Sequence, residues 1–261
     1  QMCIRDSMRP TALGLYATAV YAFLHLPLLV LAIFSFNSSR LTHWESFSFT
    51  WYRAALADSA LVEATINSLL IATFATILST VIGTLAAYAL WKRKARWITA
   101  SLSVSLVTPE IVTAISLLAL FQIIFRVLRL QLGMHTVVLA HVSFCLVYVV
   151  MVILARLRTM DNSFEEAAAD LGATPWQAFR YVTLPMLQPG IIAAALLAFT
   201  TSLDDYVITS LVAGVDSETL PMIIYGMARR GVNPAVNAIS TIIVFGLGIL
   251  IVISQRLEQK S

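Results

Sequence analysis

Long apolar runs, separated by short clusters of charge, constrain this chain more than any other feature. A helix needs about 20 mainly apolar residues to cross roughly 30 Å of hydrocarbon. Six segments meet that length, at about 11–36, 62–91, 98–125, 134–155, 189–213 and 235–254. Pro27 lies inside the first and Pro109 interrupts the third. Only 12% of the residues are charged, about half of what a soluble domain carries. So little charge cannot coat a water-facing surface of this size, which makes the bilayer the solvent. The expected fold is all-α, a polytopic membrane protein with six transmembrane helices.

An even number of spans puts both termini on one side, and the positive-inside rule chooses the side. Eleven of the seventeen Lys and Arg residues fall on the side of the termini, among them the tight cluster Lys92, Arg93, Lys94 and Arg96. Both termini are therefore expected in the cytoplasm, with the chain in a cytoplasmic membrane. The basic residues form short juxtamembrane clusters rather than a patch, so nucleic acid is not an expected partner. Cys3 and Cys145 are too far apart in sequence to suggest a metal site or a disulfide framework. Cys145, inside an apolar run, reads as a small buried hydrophobe. Residues 1–7 read as extraneous and Met8 as a natural start, which leaves 8–261 as one transmembrane domain. The first apolar run lacks a small-residue cleavage site and is long enough to remain as an anchor.

Two connections are long enough to carry structure of their own. One, 37–61, lies outside and contains Trp44, Trp51 and Tyr52. The other, 156–188, is cytoplasmic. In it Ser163 can cap a short helix, with Glu166 three residues on as its capping-box partner. Gly172 suits the left-handed residue that ends such a helix. Thr174, Pro175 and Gln177 then mark a second start, and Pro185 and Pro189 are expected to end that helix before the fifth span. Two self-capped helices with a glycine bend between them form an elbow that a partner can grip as a unit.

The string Glu166-Ala167-Ala168, Gly172 and Val182-Thr183-Leu184-Pro185 resembles the EAA loop of binding-protein-dependent ABC importer permeases, the MetI-like family. The resemblance implies that the elbow is a coupling helix, docked in a groove of a cytoplasmic ATPase. Glu166 would pair with that partner, and the small Ala167, Ala168 and Gly172 would allow its close approach. Leu184 and Pro185 complete the pattern. The chain has no Gly-x-x-x-x-Gly-Lys-Ser/Thr loop to cradle phosphates. ATP-Mg is thus expected on the partner, with no cofactor and no enzymatic activity in this chain. The partners implied are a homologous second permease or another copy, two ATPase subunits and an extracytoplasmic substrate-binding protein.

Acids inside spans are costly and mark functional positions. Glu110 lies roughly 18 Å and Asp204 roughly 21 Å from the inner ends of their segments, at about 1.5 Å per residue. Carboxylates from two helices could meet at that depth in one cavity, which would favour a cation. Asp205 is about 100° from Asp204 around the helix, so the pair cannot face the cavity equally. The alternative is that these acids pair with Arg229, Arg230 or backbone groups. His141 and His25 read as hydrogen bonders between helices.

From Tyr16 to Gln255 the chain also resembles the spermidine/putrescine permeases. The strings that carry this include Phe34-Ser35-Phe36-Asn37-Ser38-Ser39, Pro109-Glu110-Ile111-Val112, Ser202-Leu203-Asp204-Asp205 and Gly231-Val232-Asn233-Pro234. Trp44 matches an aromatic position of that branch, where a cation–π contact would contribute roughly 0.5–2 kcal/mol; an interfacial belt residue is the other reading. Glu110 stands where relatives often have Asp, which keeps the charge and lengthens the reach. The expected function is a polyamine importer permease. A permease for another cation or an amino-acid-like solute is the near alternative, and a secondary transporter or channel the distant one. No Ser/His/Asp, Cys/His or metal constellation supports a membrane enzyme. A fluorescent reporter that matures only in the cytoplasm should glow when fused after Lys94, and a phosphatase active only outside should be active when fused after Arg40; the reverse pattern would invert the topology.

Overall fold

A computed structural model describes residues 12–40, 43–128, 130–161, 163–230 and 234–258. Residues 1–7 and the Gly231, Val232 and Asn233 positions of the last string lie outside the described residues. The described chain is helical, with only an isolated bridge between Asn37 and Phe47 outside helices. It divides into two compact units, Gln1–Asp58 with Arg230–Gly246, and Ser59–Arg229 with Leu247–Ser261.

The first unit holds α1 (Ala12–Phe34) and α2 (Thr50–Ala57). The apolar side chains of α1 stay exposed, Leu13 and Phe23 at 76% each, as expected of a surface solvated by lipid. Asn37 organises the turn that follows. Its amide donates to the His43 carbonyl at 2.7 Å, and its carbonyl accepts from Glu45 N–H at 3.0 Å. His25 does not bridge helices as expected, since its Nδ1 lies 2.8 Å from the Tyr21 carbonyl of its own helix.

The second unit is built on α3 (Ser59–Arg93), α6 (Met134–Thr159) and α9 (Leu184–Asp204), which pack on one another. Helices in lipid gain no hydrophobic drive from meeting, so they associate where small residues let backbones approach. The buried face of α3 accordingly reads Ala72, Ala75, Ser79, Gly83 and Ala87, and α9 contributes Ala194 and Ala198. Val149, Val150, Ile153 and Leu157 of α6 fill the space between.

Five helices among the described residues are long and apolar enough to cross a membrane: Leu13–Phe34, Ser59–Arg93, Glu110–Val127, Met134–Thr159 and Pro175–Asp204. The run 98–125 is not one helix. It forms α4 (Arg96–Val107) and α5 (Glu110–Leu128), because the residue before a proline is pushed out of the helical region and Thr108 is extended at ψ 129°. The run 189–213 also differs. Helix continues from α8 (Pro175–Ala178) through a π-helical turn (Phe179–Thr183) into α9, with Pro189 inside α9. Leu184 N–H bonds the Phe179 carbonyl five residues back. That widened turn makes room for the ring of Pro185, which would otherwise press on a carbonyl of the preceding turn. The helix therefore begins earlier than the prolines suggested, and it ends at Asp204, before α10 (Val207–Val212). After α11 (Leu220–Arg230), the last helix is α12 (Pro234–Glu258), 25 residues long.

A Cβ on Gly83 would lie 2.6 Å from Val149 Cγ1. Gly83→Leu should overpack the α3–α6 contact by roughly 1–3 kcal/mol, read as a lower melting temperature of the purified protein. Gly246→Ala, inside α12 with nothing within 4 Å, should not lower it.

Candidate functional site

The elbow follows α6. Its first helix, α7, spans Ser163–Asp170. Ser163 is the first helical residue rather than the cap, and its N–H donates to Asp161 Oδ1 at 3.0 Å. That backbone bond, with help from the Ser163 hydroxyl, holds the Asp161 carboxyl below its ordinary range. At the other end Gly172 is left-handed, with φ +87°. Gly172 N–H reaches the Ala169 carbonyl at 2.9 Å and Ala173 N–H the Ala168 carbonyl at 3.0 Å, the paired bonds of a Schellman end. Thr174 then caps α8 reciprocally with Gln177, at 2.8 and 3.4 Å.

On this elbow Glu166, Ala167, Gly172 and Pro185 are exposed, and Ala168 and Leu184 are half-buried. Phe164, Leu171, Trp176 and Tyr181 add exposed apolar surface around them. The neighbouring Glu165, which the sequence did not mark as a coupling residue, is buried. It accepts from Lys92 Nζ and from the Thr183 hydroxyl. A cavity of about 480 Å³ beside the elbow is lined by Tyr88, Trp91, Lys92, Glu165 and Glu166 among others.

A larger cavity, about 750 Å³, lies among α4, α5, α6, α9 and α10. Glu110, Asp204 and Asp205 all line it, together with Tyr148 and Tyr206, and no Lys, Arg or His lines it. The break at Pro109 places Glu110 at the start of α5, where the Pro109 carbonyl accepts from Val112 and Thr113 N–H at 2.9 and 3.3 Å. The end of α9 places the two aspartates.

Those aspartates are not equivalent. The Asp205 side chain is 5% exposed. It accepts from Ile208 N–H at 3.2 Å, and from Thr209 N–H and hydroxyl at 2.8 Å each. Its Oδ2 lies 3.5 Å from Nε2 of buried His141. The other ring nitrogen of His141 lies 2.6 Å from Ser202 Oγ, and Nε2 also lies 2.9 Å from Thr209 Oγ1. His141 is thus the interhelical hydrogen bonder expected of it. Asp204 is exposed to the cavity and has no ion-pair partner among the described residues. Arg229 is not its partner, since it donates to the Tyr225 hydroxyl at 2.8 Å and lies 4.8 Å from that ring. Tyr225 in turn packs on Tyr206 at 4.3 Å.

Trp44 is half exposed in the first unit, edge-on to Phe34 at 6.3 Å. Cys145 is fully buried. Thr209 carried no sequence signal, and Ser202 stood only within a string of the family resemblance; their role exists because three helices bring them to one imidazole.

Residues 79–260 match the family described as binding-protein-dependent transport system inner membrane component. The putrescine transport system permease protein PotI of Escherichia coli (strain K12) is 45% identical over 237 residues, covering 88% of this chain and 84% of that protein. The spermidine/putrescine transport system permease protein PotC of Haemophilus influenzae is 40% identical over 246 residues, covering 93% and 94%. Among solved structures, a bacterial ABC transporter involved in the import of the acidic polysaccharide alginate matches with a TM-score of 0.70 at 17% identity, covering 93% of this chain and 94% of that one. That likeness is one of fold.

Asp205→Ala would strip the acceptor from two amides, a hydroxyl and an imidazole. It should cost roughly 1–3 kcal/mol and lower the melting temperature of the purified protein, whereas Asp204→Ala should lower it little or not at all.

Proposed function

This chain belongs to the family of binding-protein-dependent transport system inner membrane components, and we infer from the site it carries that it forms part of the path of an ATP-driven polyamine importer. The carrying observation is the cavity of about 750 Å³ lined by Glu110, Asp204 and Asp205 with no basic residue. Fixed negative charge in a low-dielectric surround favours a cation strongly. An extended polycation such as putrescine or spermidine suits carboxylates contributed by separate helices. The relatives named for those substrates support this choice.

In this reading Asp204 and Glu110 meet the ammonium groups. Asp205 holds the local backbone so that Asp204 and Tyr206 face the path. Trp44 would contribute an aromatic face on the outer side. The broken pair α4–α5 counts as one span, as does α9 with α10, which together with α1, α3, α6 and α12 gives six and leaves both termini in the cytoplasm. The 156–188 elbow is the coupling element. Exposed Glu166 pairs with the ATPase, while Ala167, Ala168 and Gly172 let it approach, and Leu184 and Pro185 set the start of the long helix behind. A second permease, two ATPases that bind ATP-Mg and an extracytoplasmic binding protein complete the machine.

The test is uptake of labelled putrescine and spermidine by cells lacking their own polyamine importers, with this chain expressed beside its genomic neighbours. Saturable uptake is expected. Asp204→Asn and Glu110→Gln should each lower it about tenfold, the scale of one charge-assisted contact. Uptake of glycine betaine or a basic amino acid without polyamine uptake would overturn the substrate and leave the permease role standing.

A further inference from the structure

We propose that the Glu165 carboxylate is the strut that carries displacement of the elbow into the membrane helices. This rests on the reading of the elbow as the part gripped by the ATPase. Neighbours on a helix point about 100° apart. With Glu166 facing outward, Glu165 faces back toward the spans.

The second helix of the elbow, α8, runs on into α9, but α7 has few routes of its own into the spans. Glu165 is the only buried residue of α7, so α7 has no fully buried apolar contact to push through. The carboxylate itself is fully engaged. One oxygen accepts from Lys92 Nζ in the last turn of α3, and the other from the hydroxyl of Thr183, which is 0% exposed. Thr183 closes the π-helical turn, and the next residue begins α9. One side chain thus ties α7 to the ends of two long helices.

Both anchors are themselves held. Lys92 Nζ lies 4.9 Å from the Trp91 ring and 5.8 Å from Tyr88. Tyr88, one turn before Lys92, packs on Phe179 of the π turn at 4.5 Å. Removing Lys92 leaves the buried Glu165 carboxylate under-satisfied, whereas the Lys92 side chain is half exposed. A π-helical turn is a common site of adjustment within a helix. Its position between elbow and span places the compliant turn beside the strut.

Lys92, Glu165 and Thr183 do not line the cavity of Glu110, Asp204 and Asp205, so these are positioning residues. Their signature is coupling rather than binding. The experiment uses the whole importer in proteoliposomes, with both permeases, the ATPases and polyamine-loaded binding protein. Transport and ATP hydrolysis are measured together. Glu165→Gln and Lys92→Gln should keep the ATPases bound and hydrolysing, while polyamine moved per ATP falls about tenfold, the factor expected from one lost charge-assisted hydrogen bond. The exchanged pair, Lys92→Glu with Glu165→Lys, should recover most of it. An unchanged ratio in both single variants overturns the strut, as does a loss of transport that only mirrors loss of bound ATPase. If a single variant does not assemble, Thr183→Val, which keeps volume and removes one hydrogen bond, is judged by the same ratio. Glu166→Ala separates the two readings. Intact transport in that variant removes the gripped elbow itself, whereas lost coupling there beside normal Glu165 variants removes the strut alone.

Discussion

A backbone amide inside a membrane has no water to turn to, and each one left bare costs several kcal/mol. The main cavity depends on how that constraint is met at one point. α9 stops at Asp204, and the chain restarts as α10 only two residues later. The Asp205 carboxylate takes the amides of Ile208 and Thr209 that the break exposes. His141, from a third helix, holds the same carboxylate and is itself held by Ser202. The break is therefore a built feature. It turns the next residue back, Asp204, toward open space lined by carboxylates.

The same rule operates at the other interruptions. Pro109 lacks an N–H and forces Thr108 out of the helical region, yet its carbonyl starts α5 at once. Pro185 is absorbed by a π turn instead of a break, so elbow and span remain one helical rod. Proline alone did not decide between these outcomes. At Pro109 the chain meets a cavity that tolerates extended backbone. Around Pro185 the buried Ala178, Phe179 and Thr183 keep the helix packed.

Between these interruptions the helices meet through small residues. Gly83 sits so close to Val149 that it has no room for a side chain. Asn67 and Ser68 near the far end of α3 bind carbonyls of Asp216 and Glu218 and the amide of Leu220, fixing the loop that follows α10. Asn67, Ser68 and Asp205 thus each hold backbone that has left a helix.

Hydropathy and charge alone located the apolar runs, because the length of such a run and the cost of a buried charge are properties of the chain itself, but not the breaks after Val107 and Asp204 that divide two of them. Local chemistry likewise marked the elbow, since Thr174, Gln177 and Gly172 act within a few residues of one another. The acids Glu110, Asp204 and Asp205 were visible because they are out of place in apolar runs. The sequence could not tell Asp204 from Asp205, and it marked Glu166 without showing what its neighbour Glu165 does. Each pair is adjacent and chemically alike, and what separates its members is which side of a helix meets a partner from elsewhere. His141 and Thr209 claim Asp205, and Lys92 and Thr183 claim Glu165. Lys92 lies 73 positions and Thr183 18 positions from Glu165, and His141 lies on a different helix from Asp205, so only packing in three dimensions could assign them.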